Sequence, residues 1–264
     1  HGANFFDGLA PDGITQLPVE LAVGAHRGLR PQVGIIASSH RFAADDRCWR
    51  YGVPVLGVER CLVDTVRHLG SLAEAVAAVD MVCAAELTSL RRIAAYAEGK
   101  RLPPLFRRAL PLASEWSRSP LESRARVQLG EDVCLLGLLV NAPVTDLTGR
   151  LLGIVDLLDE AAGLAIELDG RDHRALRRHR RDLAKDEALR SVGIEVTRLT
   201  GADLRDRQLA KERVLGARQR ARFLQAEERQ WIVGDPGPCL DARLAEREFW
   251  QQVHERGVRS ATRD

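Results

Sequence analysis

LLGIVDLLDEAAGLAIELDGRDH, residues 151–173, is the stretch on which the fold turns. Two apolar runs of strand-like composition flank a short turn-compatible segment that ends at Gly163. Each run carries acid where a core strand carries none. Asp156 interrupts GIVDLL, and Glu167 and Asp169 interrupt LAIELDG. Carboxylates set among Ile, Leu and Val are costly to bury unless paired or bound to a cation. Side chains alternate along a strand, so Ile154, Asp156 and Leu158 share one face. Ala165, Glu167 and Asp169 share one face of the next strand. With residues 159–162 as the loop, Asp156 is expected opposite Ala165, and Ile154 opposite Glu167. Asp156 and Glu167 are then diagonal neighbours on one face, close enough for two carboxylates to converge on one ion. A slip of one residue would separate them onto opposite faces. Mg²⁺ takes one or two carboxylates with water and phosphate, which this pattern suits. The plain alternative is a half-exposed hairpin with its acids in water.

The flanking chain alternates in kind. SPLESRARVQLG (119–130) reads as a helix, with Ser119 at the N-cap, Pro120 in the first turn and Glu122 three residues on. That spacing makes Glu122 at least as good a helix cap as a catalytic acid. After the hairpin, RALRRHRRDLAKDEALRSVG reads as a helix stopped at Gly193. Residues 194–199 (IEVTRL) read as a strand, and Thr200 as the cap of a helix starting near Ala202.

These residues resemble a widespread endonuclease-like domain, related to very-short-patch-repair endonucleases within the PD-(D/E)XK nuclease superfamily. The resemblance covers roughly residues 119–206 and is carried by SPLES, GIVDLL, IELDGRDH and RRDLAKDEALRSVGIEVTRLT. It implies an α/β, restriction-endonuclease-like core: a mixed central sheet flanked by helices. By that resemblance Asp156 and Glu167 are metal ligands for Mg²⁺ or Mn²⁺, and Asp169 is the third acidic position. Glu122 supports the metal water, and His173 assists proton transfer. Asp182 and Arg198 match supporting positions, for which a helix–strand ion pair is the simpler account. The superfamily's named lysine falls at Asp169, where this chain has none. The structural zinc site and mismatch-reading aromatics of full repair endonucleases are also missing from the pattern. The implied reaction is metal-dependent hydrolysis of DNA phosphodiester bonds, with magnesium polarising the phosphate. The alternative is an antitoxin-like or transcriptional DNA-binding regulator whose nuclease fold is idle.

Charge is uninformative globally and suggestive locally. The chain of 264 residues has a net charge of +2. Residues 171–190 hold eight basic residues against four acids, and Arg171, Arg174, Arg178, Arg181 and Lys185 are candidates for gripping a phosphate backbone. Only three lysines occur in the whole chain, so an arginine run partly reflects composition.

The length is consistent with two domains. We place an α+β or helical, regulatory region at 1–116, the endonuclease-like domain at 117–224 and a tail at 225–264. The first region has strand-like pieces LPVELAV, QVGIIAS and VPVLGV, then helix-like segments over 59–116, with Ser71 and Thr88 as N-caps and Gly99 as a stop. As a whole it is expected to be mostly helical. GVPVLGVERCLVDTVRH with EAVAAVD resembles the middle of abortive-infection antitoxin-like regulators, proteins of toxin–antitoxin systems that often carry a winged helix before this segment. In the tail, WIVGDPGP is turn-rich and LAEREFWQQVHERG has the makings of an amphipathic helix. Five scattered cysteines without a CxxC pair favour reduced thiols and a cytoplasmic location. No apolar run is long enough to span a membrane. A homodimer or a protein partner is left open.

Overall fold

The structure, a computed structural model, describes residues 4–9, 14–23, 30, 32–38, 42–169 and 175–261. The side chains of 175–181, 253 and 255–261 are outside that description.

Strands β1 (Val19–Ala22) and β2 (Ile35–Ser38) form a parallel pair, and β3 (Arg47–Arg50) and β4 (Val53–Leu56) an antiparallel hairpin. Helices α1 (Val58–Arg67), α2 (Leu72–Ala84), α3 (Leu90–Ala97) and α4 (Pro104–Ala109) follow. The expectation of a mostly helical first region is therefore corrected: its first half is built of strand pairs. VPVLGV, read as strand-like, holds β4, while β3 had no apolar alternation to announce it. The hairpin closes through Tyr51 and Gly52, both at positive φ (52° and 77°), the backbone that a tight two-residue hairpin turn demands.

Next come α5 (Pro120–Val133), β5 (Leu139–Asp146), β6 (Leu151–Asp159), β7 (Leu164–Asp169), α6 (Ala175–Ser191), β8 (Glu195–Thr200), α7 (Gly201–Arg205), α8 (Arg207–Arg220), β9 (Trp231–Val233) and α9 (Leu240–Ala261). Five of these strands form one sheet in the order β8-β7-β6-β5-β9. The β7–β8 pair is parallel, joined through α6, and the other pairs are antiparallel. The molecule is thus mixed α/β, with a five-stranded mixed sheet flanked by helices. WIV, read as part of a turn-rich stretch, instead adds β9 to the sheet edge through Val144↔Val233, Thr145↔Ile232 and Asp146↔Trp231. Three residues are too few to show a period, and the edge of β5 supplies their hydrogen bonds.

Alternate residues of the central strands feed opposite faces. Leu157, Ile166 and Leu199 pack with Ala125 and Leu129 of α5 and with Ala210, Val214 and Ala217 of α8. Leu158, Ala165 and Val196 pack with Leu189 of α6. A separate core joins Leu62, Val76, Val79, Ile93 and Phe106 of α1–α4 with Leu240 and Leu244 of α9. Each such fully buried large side chain contributes about 1.5–3 kcal/mol. Among the described residues no helix is long and apolar enough to cross a membrane.

Candidate active site

The sheet aligns a polar row. The β6–β7 pairing runs Asp159↔Leu164, Leu158↔Ala165 and Leu157↔Ile166. One further step places Asp156 level with Glu167. The expected register, with Asp156 opposite Ala165, is corrected by two residues. The turn occupies 160–163, closed by Gly163 at positive φ (69°), instead of 159–162. A two-residue shift preserves the expected face, and Asp156 lies within electrostatic reach of Glu167. On the other side of β7, Glu167 pairs with Arg198 of β8. On the other side of β6, Asn141 lies between Val140↔Leu157 and Ala142↔Val155, level with Asp156. Asn141, Asp156, Glu167 and Arg198 therefore cross four strands in one line.

Beyond Leu157↔Ile166 the β6–β7 ladder ends, and the Leu168 N–H donates to Asp156 Oδ2 at 2.8 Å. This bond replaces a ladder bond and pins the Asp156 carboxylate at the fork between the strands. Glu167 is buried, at 5 % exposure. Its Oε2 accepts from Lys185 Nζ of α6 at 2.5 Å, while Oε1 is buried without a hydrogen-bond partner. Burial pushes the Glu167 carboxyl up to about 7; Asp156 adds to the rise, and Lys185 and Arg198 oppose it. Burial also raises Asp156, against the Leu168 amide and Lys185, with the charges of Glu122 and Asp169 adding to the rise. Glu122, Glu167 and Asp169 thus each lie within electrostatic reach of Asp156.

The supporting groups are differently occupied. Glu122 is buried and saturated: Oε1 accepts from Ser119 Oγ, and Oε2 from the Arg118 N–H and Asn141 Nδ2 at 2.6 Å. Ser119 Oγ in turn accepts the Glu122 N–H, so Ser119 caps α5 and Glu122 braces the cap. Asp169 is half-exposed and meets Arg198 Nη1 at 3.2 Å. Arg198 holds Asp186 through two bonds, Nη2 to Oδ1 at 2.7 Å and Nε to Oδ2 at 3.3 Å. The helix–strand ion pair foreseen for Asp182 and Arg198 is thus made by Asp186, one helical turn further along. Asp182 sits part-buried in α6. His173, Arg171 and Arg174 lie outside the described residues. Arg178 and Arg181 lie on α6, and their side chains are outside the description. Lys185, assigned to the phosphate-gripping strip, points instead into the acidic pair.

Four contributors were not singled out for these roles. Asn141 interrupts LVNAPV as Asp156 interrupts its own strand, so the same rule reveals it. Gly153 is an interior strand glycine, a mark of close approach. A Cβ there would lie 2.5 Å from Lys185 Cγ and 2.7 Å from Cδ, so the lysine stem rests on bare backbone. Lys185 stands out as one of three lysines in an arginine-rich chain. Asp186, beside it on the helix, carried no separate signal.

A divalent cation can be tested against these donors. Among the described residues no group of three or more His, Cys, Asp or Glu is arranged to hold a metal. Magnesium needs only one or two protein carboxylates. Asp156 and Glu167 are two carboxylates within electrostatic reach of each other, and the unpartnered Glu167 Oε1 is the kind of buried acceptor that a cation satisfies. The donor set fits. No protein-family pattern, curated protein or solved structure matches the chain.

Proposed function

We propose that this protein is a divalent-cation-dependent DNA endonuclease with a restriction-endonuclease-like core. The observation that carries the reading is the unsatisfied, buried Glu167 oxygen beside Asp156 at the point where β6 and β7 part. Mg²⁺ or Mn²⁺ held there supplies Lewis acidity to a phosphodiester and an activated water. Asp156, fixed by the Leu168 amide, and Glu167 orient that cation. The Asn141–Glu122 bond ties α5 to the same row and sets the field felt by Asp156. Arg198 anchors β8 to α6 through Asp186 and keeps Asp169 at the rim. A proton-transfer role for His173 rests on the resemblance alone.

A second reading, a DNA-binding regulator with an idle nuclease fold, draws on the saturation of Glu122 and on the lysine seated against Glu167. One experiment separates the two. Purified protein is incubated with plasmid and single-stranded DNA in Mg²⁺, Mn²⁺ or EDTA, beside Glu167→Ala. The nuclease reading expects cleavage with either metal, none in EDTA, and at least a 100-fold loss in the variant, in line with removal of a transition-state-stabilising group. Equal behaviour of wild type and variant sinks it. DNA binding without cleavage favours the regulator.

A further inference from the structure

Lys185 is the least expected member of the site. Its ammonium sits against a buried carboxylate, contacting Glu167 Oε2 and the Ile154 carbonyl at 2.9 Å. Its stem lies over Gly153, where any side chain would displace it. The other cation of the row, Arg198, is committed to Asp186 and Asp169. Lys185 is therefore the direct counter-charge of Glu167 among the described residues. One ammonium leaves Glu167 Oε1 unsatisfied and faces a second carboxylate, Asp156, as well. A single positive charge opposite two acids is an incomplete neutralisation, and a divalent cation would complete it. An ammonium and a dication at one carboxylate repel each other, so each weakens the hold of the other.

We propose that Lys185 is a resident counter-ion at Glu167 that a divalent cation displaces. Lysine suits this role better than arginine. It is a compact charge on a flexible stem, whereas guanidinium locks a carboxylate in a two-pronged grip. When released from Glu167, the ammonium swings on its flexible stem beside the site and becomes available to an anionic group of a substrate. The inference rests on the two-carboxylate cation site proposed above.

The chain's three lysines, Lys100, Lys185 and Lys211, make the test direct. The intact protein is labelled with ¹³C at the lysine Cε, which gives three signals. That of Lys185 is identified by its loss in Lys185→Met. Mg²⁺ is titrated by nuclear magnetic resonance and, in parallel, by calorimetry. The expected result is a shift of the Lys185 signal with a rise in its Cε mobility, half complete at the calorimetric Kd. Lys100 and Lys211 stay still. Glu167→Gln abolishes the response, and Gly153→Ala gives a mobile Lys185 before any Mg²⁺ is added. Calorimetric binding with Lys185 still rigid overturns this inference and leaves the cation site standing. So does a Lys185 response that persists in Glu167→Gln. Absence of any Mg²⁺ binding overturns both.

Discussion

Two buried acids in this molecule are treated in opposite ways. Asp80 lies in the middle of α2, fully buried, at 0 % exposure. Its Oδ1 accepts the Ser114 N–H at 2.7 Å, and its Oδ2 accepts Ser123 Oγ at 2.7 Å and Arg126 Nη2 at 2.6 Å. Both oxygens are satisfied, and the bonds staple α2 to α5 and to the segment before it. Glu167 is nearly as buried, yet one oxygen has no partner and the other has a lysine. Burial costs a carboxylate the same in both places. The first acid is compensated by hydrogen bonds that tie helices together. The second keeps one oxygen without a partner, the condition that the proposed cation site would relieve.

Substitution should separate the two most sharply. Asp80→Ala strands Arg126, Ser123 and the Ser114 amide, and is expected to cost about 3–5 kcal/mol in urea unfolding. Glu167→Gln keeps an acceptor for Lys185 and removes the costly charge, so stability should stay within about 1 kcal/mol of wild type or rise. Equal losses would erase the distinction.

Acidity is a second, smaller measure: burial raises both carboxyls, Asp80 against Arg126, Ser123 and the Ser114 amide, and Glu167 against Lys185 and Arg198. The Glu167 carboxyl is raised from 4.5 to about 7 in the folded protein. A group raised on folding favours the fold below its unfolded value, and that contribution is lost as pH climbs through the folded one. Wild type should therefore lose up to about 3 kcal/mol relative to Glu167→Gln between pH 5 and 8. Paired urea titrations at the two pH values measure it. A flat difference would mean that Glu167 is already fully compensated.

Gly153→Ala probes the same contrast most gently. The new Cβ pushes the lysine stem off the strand, at roughly 1 kcal/mol if the side chain swings clear. With its counter-charge displaced, Glu167 should hold its proton to higher pH, and the pH-dependent loss should extend further upward. An unchanged profile would show that Lys185 contributes little to Glu167.

The elements written most plainly in the sequence are those with local signals. Ser119 caps α5 as its spacing with Glu122 requires, Ser71 caps α2, and Gly193 stops the α6 segment at positive φ. At α3, two adjacent hydroxyls compete. Ser89 caps the helix, correcting the choice of Thr88, whose hydroxyl donates to Glu59 instead. The acids of the hairpin were legible because charge contradicts an apolar strand. Their register was not, because loop length alone does not specify where a turn closes. Lys185 was read as part of a basic surface strip because helix periodicity does not say which strand lies beneath. Its contact with Glu167 exists only once α6 crosses from β7 to β8.

The last segments of the chain have a consequence for how the protein is made. After β9 joins the sheet, α9 returns to the first helices. There Leu240 and Leu244 enter the α1–α4 core, Asp241 receives Ser89 Oγ at 2.8 Å, and Glu86 meets Arg243 and Arg247. Helices synthesised early are thus closed by residues synthesised late. On a ribosome adding about 5–20 residues per second, the interval between Phe106 and Leu240 is on the order of ten seconds. Throughout that interval the α1–α4 core has Val127 of α5 but lacks Leu240 and Leu244.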